Sequence, residues 1–336
     1  MKSWKLTSAK EYKLFTSEQN QSVEDNYFDE EALKKENTTK VKLLKANLDQ
    51  NDINAYLGKG GISYPLVPSR SAVGLVSDND NHEFDLGERV FLAPYLDHSK
   101  TSPKLRGYNE DGYLSDFTYA LNSSIFPLPE GVSDDEALFT EDIALCISCH
   151  NKLDIEKGDY ILLYGASYLN ILFAQIAIYY QLVPVIVDND EDRLSIAQNA
   201  GVYYTIDTRE ENAERKSIEI TSGDMYKALI IDLDNFTVAN DYVELIRDGG
   251  TICLYGYSKN NINMVSQLDL VLTKGLNIIG VNNGNGEIHS AINLLANKVI
   301  NIQYLIESST PFNNFVQIMK NISDKSNPLK HTITFD

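Results

Sequence analysis

The residues most able to do chemistry lie between Tyr160 and Asp188, in YILLYGASYLNILFAQIAIYYQLVPVIVD. Tyr160–Tyr164 is an apolar run suited to a strand buried on both faces, Gly165 supplies a turn, and the apolar residues from Leu169 to Tyr180 fit a packed helix. Val183–Val187 reads as a second strand that ends at Asp188. A helix N-terminus behind a glycine turn offers N–H groups and partial positive charge to a pyrophosphate, and a carboxylate ~20 residues further on accepts ribose hydroxyls. The second and third positions of Gly-x-Gly-x-x-Gly are here Ser167 and Asn170, so a strand–helix–strand unit that binds no nucleotide stays open as the alternative. A second string, Cys146-Ile147-Ser148-Cys149-His150, matches covalent haem attachment. It sits in ALFTEDIALCISCHNKL, which reads as one amphipathic helix carrying small buried thiols. Cys253 is the third and last cysteine, so a four-cysteine metal site cannot be built.

Elements that would position a dinucleotide continue downstream. Strand-like runs at 202–206, 227–232, 251–256 and 276–281 alternate with helical stretches over Glu191–Asn199, Ala239–Arg247 and Gln267–Lys274. This pattern predicts an α/β, doubly wound parallel sheet of five or six strands with a ligand crevice at its switch point. Upstream, KVKLLKANL, SAVGLVS and RVFLAPY are β-like runs broken by Gly, Pro, Asn and Asp, which predicts a β-rich domain without crossover helices. The acidic, Asn-rich segment Ser17–Thr39 reads as a solvated excursion, and the basic stretch His98–Arg106 as a solvated loop, with a phosphate-holding cluster as the alternative. His82, His98, His289 and His331 share no ligand or catalytic spacing and read as surface or loop residues.

The 336 residues carry 48 acidic against 29 basic side chains, a net charge of −19 that disfavours nucleic acid and anionic lipid as partners. No run approaches the ~18 apolar residues of a membrane span, and MKSWKLTSAKEYKLF lacks a secretory core; no membrane association and a cytoplasmic location are the expectations.

Several collinear stretches resemble the medium-chain dehydrogenase/reductase superfamily. Tyr64-Pro65-Leu66-Val67-Pro68 followed by Ala72-Val73-Gly74-Leu75-Val76 is similar to its P-x-x-P-G-x-E-x-x-G-x-V stretch, and Leu86–Phe91 to its x-G-D-R-V turn. Gly112–Phe117 resembles G-x-F-A-E-Y, Pro127-Leu128-Pro129 the x-P-x-P before the interdomain helix, and Lys157–Leu162 the x-G-D-x-V-L leading into the first Rossmann strand. The resemblance implies a GroES-like β-rich domain over 1–131 and 295–336, a Rossmann domain over 132–294, a homodimer, and hydride transfer on a small-molecule substrate.

The resemblance also implies where a zinc ligand set would stand. It places Asp49 at the usual cysteine, Asp52 at the aspartate that follows, Arg70 and Ser71 at a His-Glu pair, and Glu141 at the last ligand. A guanidinium has no lone pair to give and repels a cation, so no catalytic zinc is expected; residues 92–116 hold no cysteine, so no structural zinc is expected either. Asp49, Arg70 and Glu141 are then the catalytic candidates, with Arg70 polarising a carbonyl or anionic group; the bland reading is that Arg70 neutralises two buried carboxylates. Asn51 and Asn54 stand where relatives carry proton-relay groups, and an amide cannot relay a proton. Cofactor contacts carried over are Gly165, Ala166, Ser167 and Leu169 at the pyrophosphate, Asp188 at the ribose favouring NAD(H) over NADP(H), and Arg193 near the adenine or a 2′-phosphate. Gly256, Tyr257, Gly280 and Val281 fall near the nicotinamide. The leading expectation is a zinc-independent NAD(P)(H)-dependent oxidoreductase of a small carbonyl compound, alcohol or activated alkene. The rivals are a non-catalytic Rossmann-fold subunit or regulator, and a small-molecule binder without redox chemistry.

Overall fold

The computed structural model describes residues 1–16, 37–59, 61–78, 83–97, 104–233, 240–256, 268–324 and 329–335. These divide into two compact units: Met1–Glu141 with Ile306–Lys325 and Lys330–Asp336, and Asp142–Leu305 with Ser326–Leu329. The expected excursion over 17–36, together with His82, residues 98–103 and Tyr257, lies outside the described residues.

The first unit starts with an antiparallel hairpin, β1 (Lys2–Ser8) and β2 (Glu11–Thr16). Then come β3 (Thr38–Leu48), the short helix α1 (Gln50–Tyr56), β4 (Ala72–Asp78), β5 (Arg89–Leu92), β6 (Phe117–Leu121) and β7 (Ile125–Pro127). The strands read in sequence as KVKLLKANL, SAVGLVS and RVFLAPY are thus β3, β4 and β5. Together with the return strands Ile306–Pro311 and Lys330–Thr334 they form a sheet ordered Ile306–Pro311, Lys330–Thr334, β3, β4, β5, β7, with β6 also paired to β3. Alternating burial along β3 follows from a strand that packs Val41 and Leu43 into the core while Lys42 faces out.

Residues 132–141 belong to this unit, ten residues past the boundary expected from sequence. Lys45 Nζ lies 2.6 Å from Asp135 Oδ1, Arg89 Nη1 lies 3.1 Å from Asp134 Oδ1, and the buried Lys330 donates to the Leu138 carbonyl at 2.7 Å. ALFTEDIALCISCHNKL is not one helix. A capping box at Ser133 starts the short helix α2 (Asp134–Ala137), and after Leu138 and Phe139 a new helix, α3, spans Thr140–His150. Helix α3 is buried nearly all round, not amphipathic, so polarity gave no true reading of its exposure.

The second unit is the parallel sheet. Its strands are β8 (Tyr160–Tyr164), β9 (Val183–Asp188), β10 (Tyr204–Asp207), β11 (Tyr226–Asp232), β12 (Ile246–Tyr255) and β13 (Asn277–Val281), in the order β10-β9-β8-β11-β12-β13. Every pairing is parallel. The order reverses between β8 and β11, which is the doubly wound topology expected from sequence. Helices α4 (Tyr168–Tyr179), α5 (Glu191–Asn199), α6 (Ala213–Thr221), α7 (Leu268–Thr273) and α8 (Ile288–Ala296) occur in this unit. The helix expected over Ala239–Arg247 is a 3-10 turn, Asn240–Leu245, because Ile246 already enters β12. This unit runs on to Leu305, past the expected end at 294; Gln175 in α4 grips Asn301, accepting its N–H at 2.7 Å and donating to its carbonyl at 3.1 Å.

One glycine in the first unit has a demanding position. A Cβ on Gly112 would lie 2.1 Å from the Ser69 carbonyl oxygen and 2.4 Å from that of Pro68, because Gly112 N–H and Tyr113 N–H pair with the Val67–Ser69 backbone. Gly112→Ala should therefore cost about 1–3 kcal/mol through overpacking, read from chemical denaturation; an unchanged midpoint would show that the Pro68–Arg70 loop yields freely.

Candidate functional site

Two clusters carry the site residues, one in each unit. In the first, Asp49 ends β3 and caps α1: its Oδ1 accepts from Asn51 N at 2.8 Å and Asp52 N at 3.2 Å. Asp52 completes the capping box, its Oδ2 accepting from Asp49 N at 3.0 Å and its Oδ1 from Ser69 N at 2.8 Å. The second bond holds the loop that carries Arg70, in which Ser69 takes a left-handed φ of +74°. Its Oγ also donates to the Ser71 carbonyl at 3.2 Å. Glu141 comes from the first turn of α3.

Arg70 joins the three candidate positions. Its Nη2 donates to Glu141 Oε1 and its Nε lies 3.7 Å from Asp49 Oδ2. Asp49, Arg70 and Glu141 are only 6%, 1% and 2% exposed, so the charges compensate one another inside the protein instead of in water. Asn51 and Asn54 of α1 are buried as well. The hydroxyls of Ser71 and Thr140, each adjacent in sequence to a member of the cluster, are buried without a hydrogen-bond partner among the described residues. Burial, and then the neighbouring Asp49, push the Asp52 carboxyl up to about 8, so it holds a proton at neutral pH; hydrogen bonds from Ser69 and Asp49 N–H and the charge of Arg70 pull the other way.

In the second unit the turn expected at a dinucleotide is present. Gly165 has φ +85°, Ser167 caps α4 by accepting from Asn170 N at 3.1 Å, and Leu169 lies in the first turn. The first-turn N–H groups of Tyr168 and Leu169 precede the reach of any intrahelical carbonyl. Asp188 ends β9 beside the turn: its Oδ2 accepts from Ala166 N at 2.5 Å and its Oδ1 from Asn189 N and Asp190 N. Arg193 follows in α5, half-buried, its guanidinium held down in pKa by burial against the opposing pull of Asp190 and Asp188. Gly256 closes β12 with φ +131°, and Gly280 and Val281 close β13 opposite Leu254 and Tyr255; Tyr257 lies beyond the described residues.

Asn170, where a glycine would allow close helix–strand approach, is committed beneath the turn. Its Nδ2 donates to the carbonyls of Tyr164 and Gly165 at 2.8 and 2.7 Å, and its Oδ1 accepts from Tyr255 Oη at 2.8 Å. The side chain thus braces the turn from the sheet side. Sequence reasoning missed that bracing and also missed Asp232, which ends β11 as Asp188 ends β9 and accepts from Ser167 Oγ at 2.6 Å. Two carboxylates therefore meet the turn. A strand ending in Asp was the legible signal for both.

Other candidates resolve simply. Cys146, Cys149 and Cys253 are buried free thiols, with Cys149 Sγ 2.9 Å from Cys253 Sγ, a placement that leaves no route for haem attachment. His331, expected at the surface, is buried in its strand because it pairs with Ser308 at 2.7 Å and Glu307 at 3.3 Å. Arg106 is not solvated as expected: its Nη2 donates to the Tyr119 carbonyl at 2.7 Å and the guanidinium lies 5.1 Å from the Tyr113 ring centroid. Among the described residues no helix is long and apolar enough to cross a membrane.

Residues 170–297 match the zinc-binding dehydrogenase family. The chain is 23% identical over 308 residues to an uncharacterized zinc-type alcohol dehydrogenase-like protein of Haemophilus influenzae, covering 87% of this chain and 89% of that one. It is 26% identical over 286 residues to a sorbitol dehydrogenase of Halalkalibacterium halodurans, covering 80% and 83%. Among solved structures, a short chain alcohol dehydrogenase from E. coli CFT073 in complex with NADH superposes with a TM-score of 0.83 at 19% identity, over 100% of this chain and 99% of that one.

The chain is thus similar in sequence to zinc-type alcohol and sorbitol dehydrogenases and shares their fold.

The zinc named by the matching family does not fit the residues present here. Asp49 and Glu141 offer oxygen donors, but the position between them is held by a guanidinium that is cationic at any accessible pH and has no lone pair. Among the described residues, no group of three or more His, Cys, Asp or Glu is placed to hold a metal ion. The second unit has the elements on which a dinucleotide could be held: a parallel sheet reverses its order at β8, a glycine turn follows that strand, and a twelve-residue helix begins behind it.

Asp52 makes stability depend on pH with a definite sign. Its folded pKa of about 8 exceeds the ordinary 3.8, so the folded state binds the extra proton. The stabilisation is complete below about 4 and is lost as pH rises through about 8. The melting temperature of wild type should fall over that interval more steeply than that of Asp52→Asn; parallel curves would show that Asp52 ionises normally.

Proposed function

We propose that this chain is a nicotinamide-dependent oxidoreductase that transfers a hydride without zinc, with NAD(H) preferred to NADP(H), on a small carbonyl compound, alcohol or activated alkene. The observation that carries this reading is the Gly165 turn at the switch point of the parallel sheet, followed by the capped helix α4, with Asp188 at the end of the next strand. When bound, the dinucleotide supplies the hydride chemistry. The protein's part is to hold it. In this reading Tyr168 and Leu169 N–H face the pyrophosphate, and the Asp188 carboxylate turns from Ala166 N–H to the ribose hydroxyls, where it repels a 2′-phosphate. Arg193, near enough to Asp188 to feel its charge, would lie at the adenine or at a 2′-phosphate, and Gly256, Gly280 and Val281 at the strand ends offer backbone to the nicotinamide amide. Arg70 is the electrophile, oriented by Asp49 and Glu141. With two carboxylates already facing the guanidinium, polarisation of a substrate oxygen falls to its directed N–H donors instead of to net charge.

A second reading, a non-catalytic Rossmann-fold subunit or regulator, is favoured by one observation: the carboxylates of Asp188 and Asp232 already take the Ala166 N–H and the Ser167 hydroxyl, adding negative charge where two phosphates would sit.

Fluorescence titration with NADH separates the two. The enzyme reading expects micromolar dissociation, on the order of −8 kcal/mol, with NADPH weaker and Asp188→Ala narrowing the difference. Absence of binding by both nucleotides would sink it in favour of the second reading. Arg70→Ala should abolish turnover while NADH affinity is kept; retained turnover would remove Arg70 from the chemistry.

A further inference from the structure

The first unit surrounds one cation with an excess of acid. Asp49 comes from the cap of α1, Glu141 from the first turn of α3, and Asp52 from inside α1; Arg70 reaches them from the loop before β4. All four are buried. A cluster of this kind without a cation would force like charges together in a poorly solvated place, which costs far more than an exposed pair. Asp52 turns its carboxyl to the backbone N–H groups of Asp49 and Ser69. The remaining pair, Asp49 and Glu141, meets the guanidinium from two directions.

We propose that Arg70 is a built-in cation: it occupies the point of convergence of positions 49, 70 and 141 that would otherwise be a metal site, so the first unit folds around a guanidinium and takes no zinc. The inference concerns the first unit alone and stands or falls independently of dinucleotide binding in the second.

The physical argument has three parts. A planar fork with five donors spans two carboxylates that approach from different elements, which the compact ammonium of a lysine does less well. Its charge is permanent and its attachment covalent, so it offsets one of the two facing carboxylate charges at any metal concentration and cannot be stripped by a chelator. The Ser71 and Thr140 hydroxyls, next in sequence to Arg70 and Glu141, are buried without a partner among the described residues, and such atoms are uncommon in a well-satisfied interior. Replacing the guanidinium by an imidazole and the Asp49 carboxylate by a thiolate, with Glu141 kept, would set nitrogen, sulfur and oxygen donors around one point. Three protein ligands of those types with an open fourth position make a tetrahedral zinc site.

The test is metal analysis of the full chain. Wild-type protein purified from zinc-supplemented culture should carry far less than one zinc per chain by plasma mass spectrometry, and its melting temperature should not respond to chelator. The double variant D49C/R70H should take up about one zinc per chain, gain thermal stability with zinc and lose it with chelator. Loaded with cobalt instead, it should show the thiolate-to-cobalt absorption of a tetrahedral site. Arg70→Met, with two carboxylates left uncompensated, should melt well below Arg70→Lys, which keeps the charge. Stoichiometric zinc in wild type would overturn the proposal, as would a D49C/R70H protein that binds neither metal or that zinc fails to rescue when it misfolds. Equal melting of Arg70→Met and Arg70→Lys would equally refute a role for the cation.

Discussion

The constraint on which the first unit turns is that buried carboxylates need a cation. Asp49 and Glu141 are fixed by the elements that carry them, one as the cap of α1 and the other in the first turn of α3, and neither can swing into solvent. Arg70 reaches both only because its loop is held from beneath. Asp52 binds the Ser69 N–H, and Gly112 leaves room for the Pro68 and Ser69 carbonyls. The left-handed backbone at Ser69 is the local cost of turning the chain there, offset by bonds at its N–H, its carbonyl and its hydroxyl.

The second unit solves a different problem with the same kind of group. A helix that starts at the edge of a parallel sheet carries unsatisfied N–H groups and a partial positive charge. Here the chain supplies much of the compensation itself: Ser167 caps Asn170 N–H, Asp188 takes the Ala166 N–H, and Asp232 binds the Ser167 hydroxyl. The turn tolerates asparagine at its third glycine position because the amide bonds two carbonyls below it and the Tyr255 hydroxyl behind it. A bulky residue there would otherwise lever the helix off the strand. Its hydrogen bonds turn an intrusion into a brace.

Strong periodicity made much of the fold legible. Five-residue apolar runs separated by helical stretches can bury their faces only as a parallel sheet with crossover helices, and the order found is the one such connections favour. Readings failed where one stretch allowed two geometries. Asn240–Leu245 is apolar and acidic enough for a helix, yet β12 begins at Ile246 and leaves room only for a 3-10 turn. The stretch Ala137–Leu153 looks like one helix, but Ala137 ends the short helix begun at the Ser133 capping box, Leu138 and Phe139 contact Lys330, and the next helix runs only over Thr140–His150. Those contacts span almost two hundred residues of chain, which no local pattern reports.

The sequence by itself determined the chemistry on offer: a glycine turn twenty-odd residues before an aspartate, too few cysteines for a four-cysteine metal site and, at the positions that the family resemblance aligns with zinc donors, an arginine and acids. Those are matters of residue type and spacing, and spacing survives folding. Tertiary structure alone decided which acid keeps its proton, which carboxylates face Arg70, and that Asp232 and Asn170 complete the turn. Burial and distance across separate strands set those outcomes, through desolvation and hydrogen bonds that exist only once the two sheets have formed.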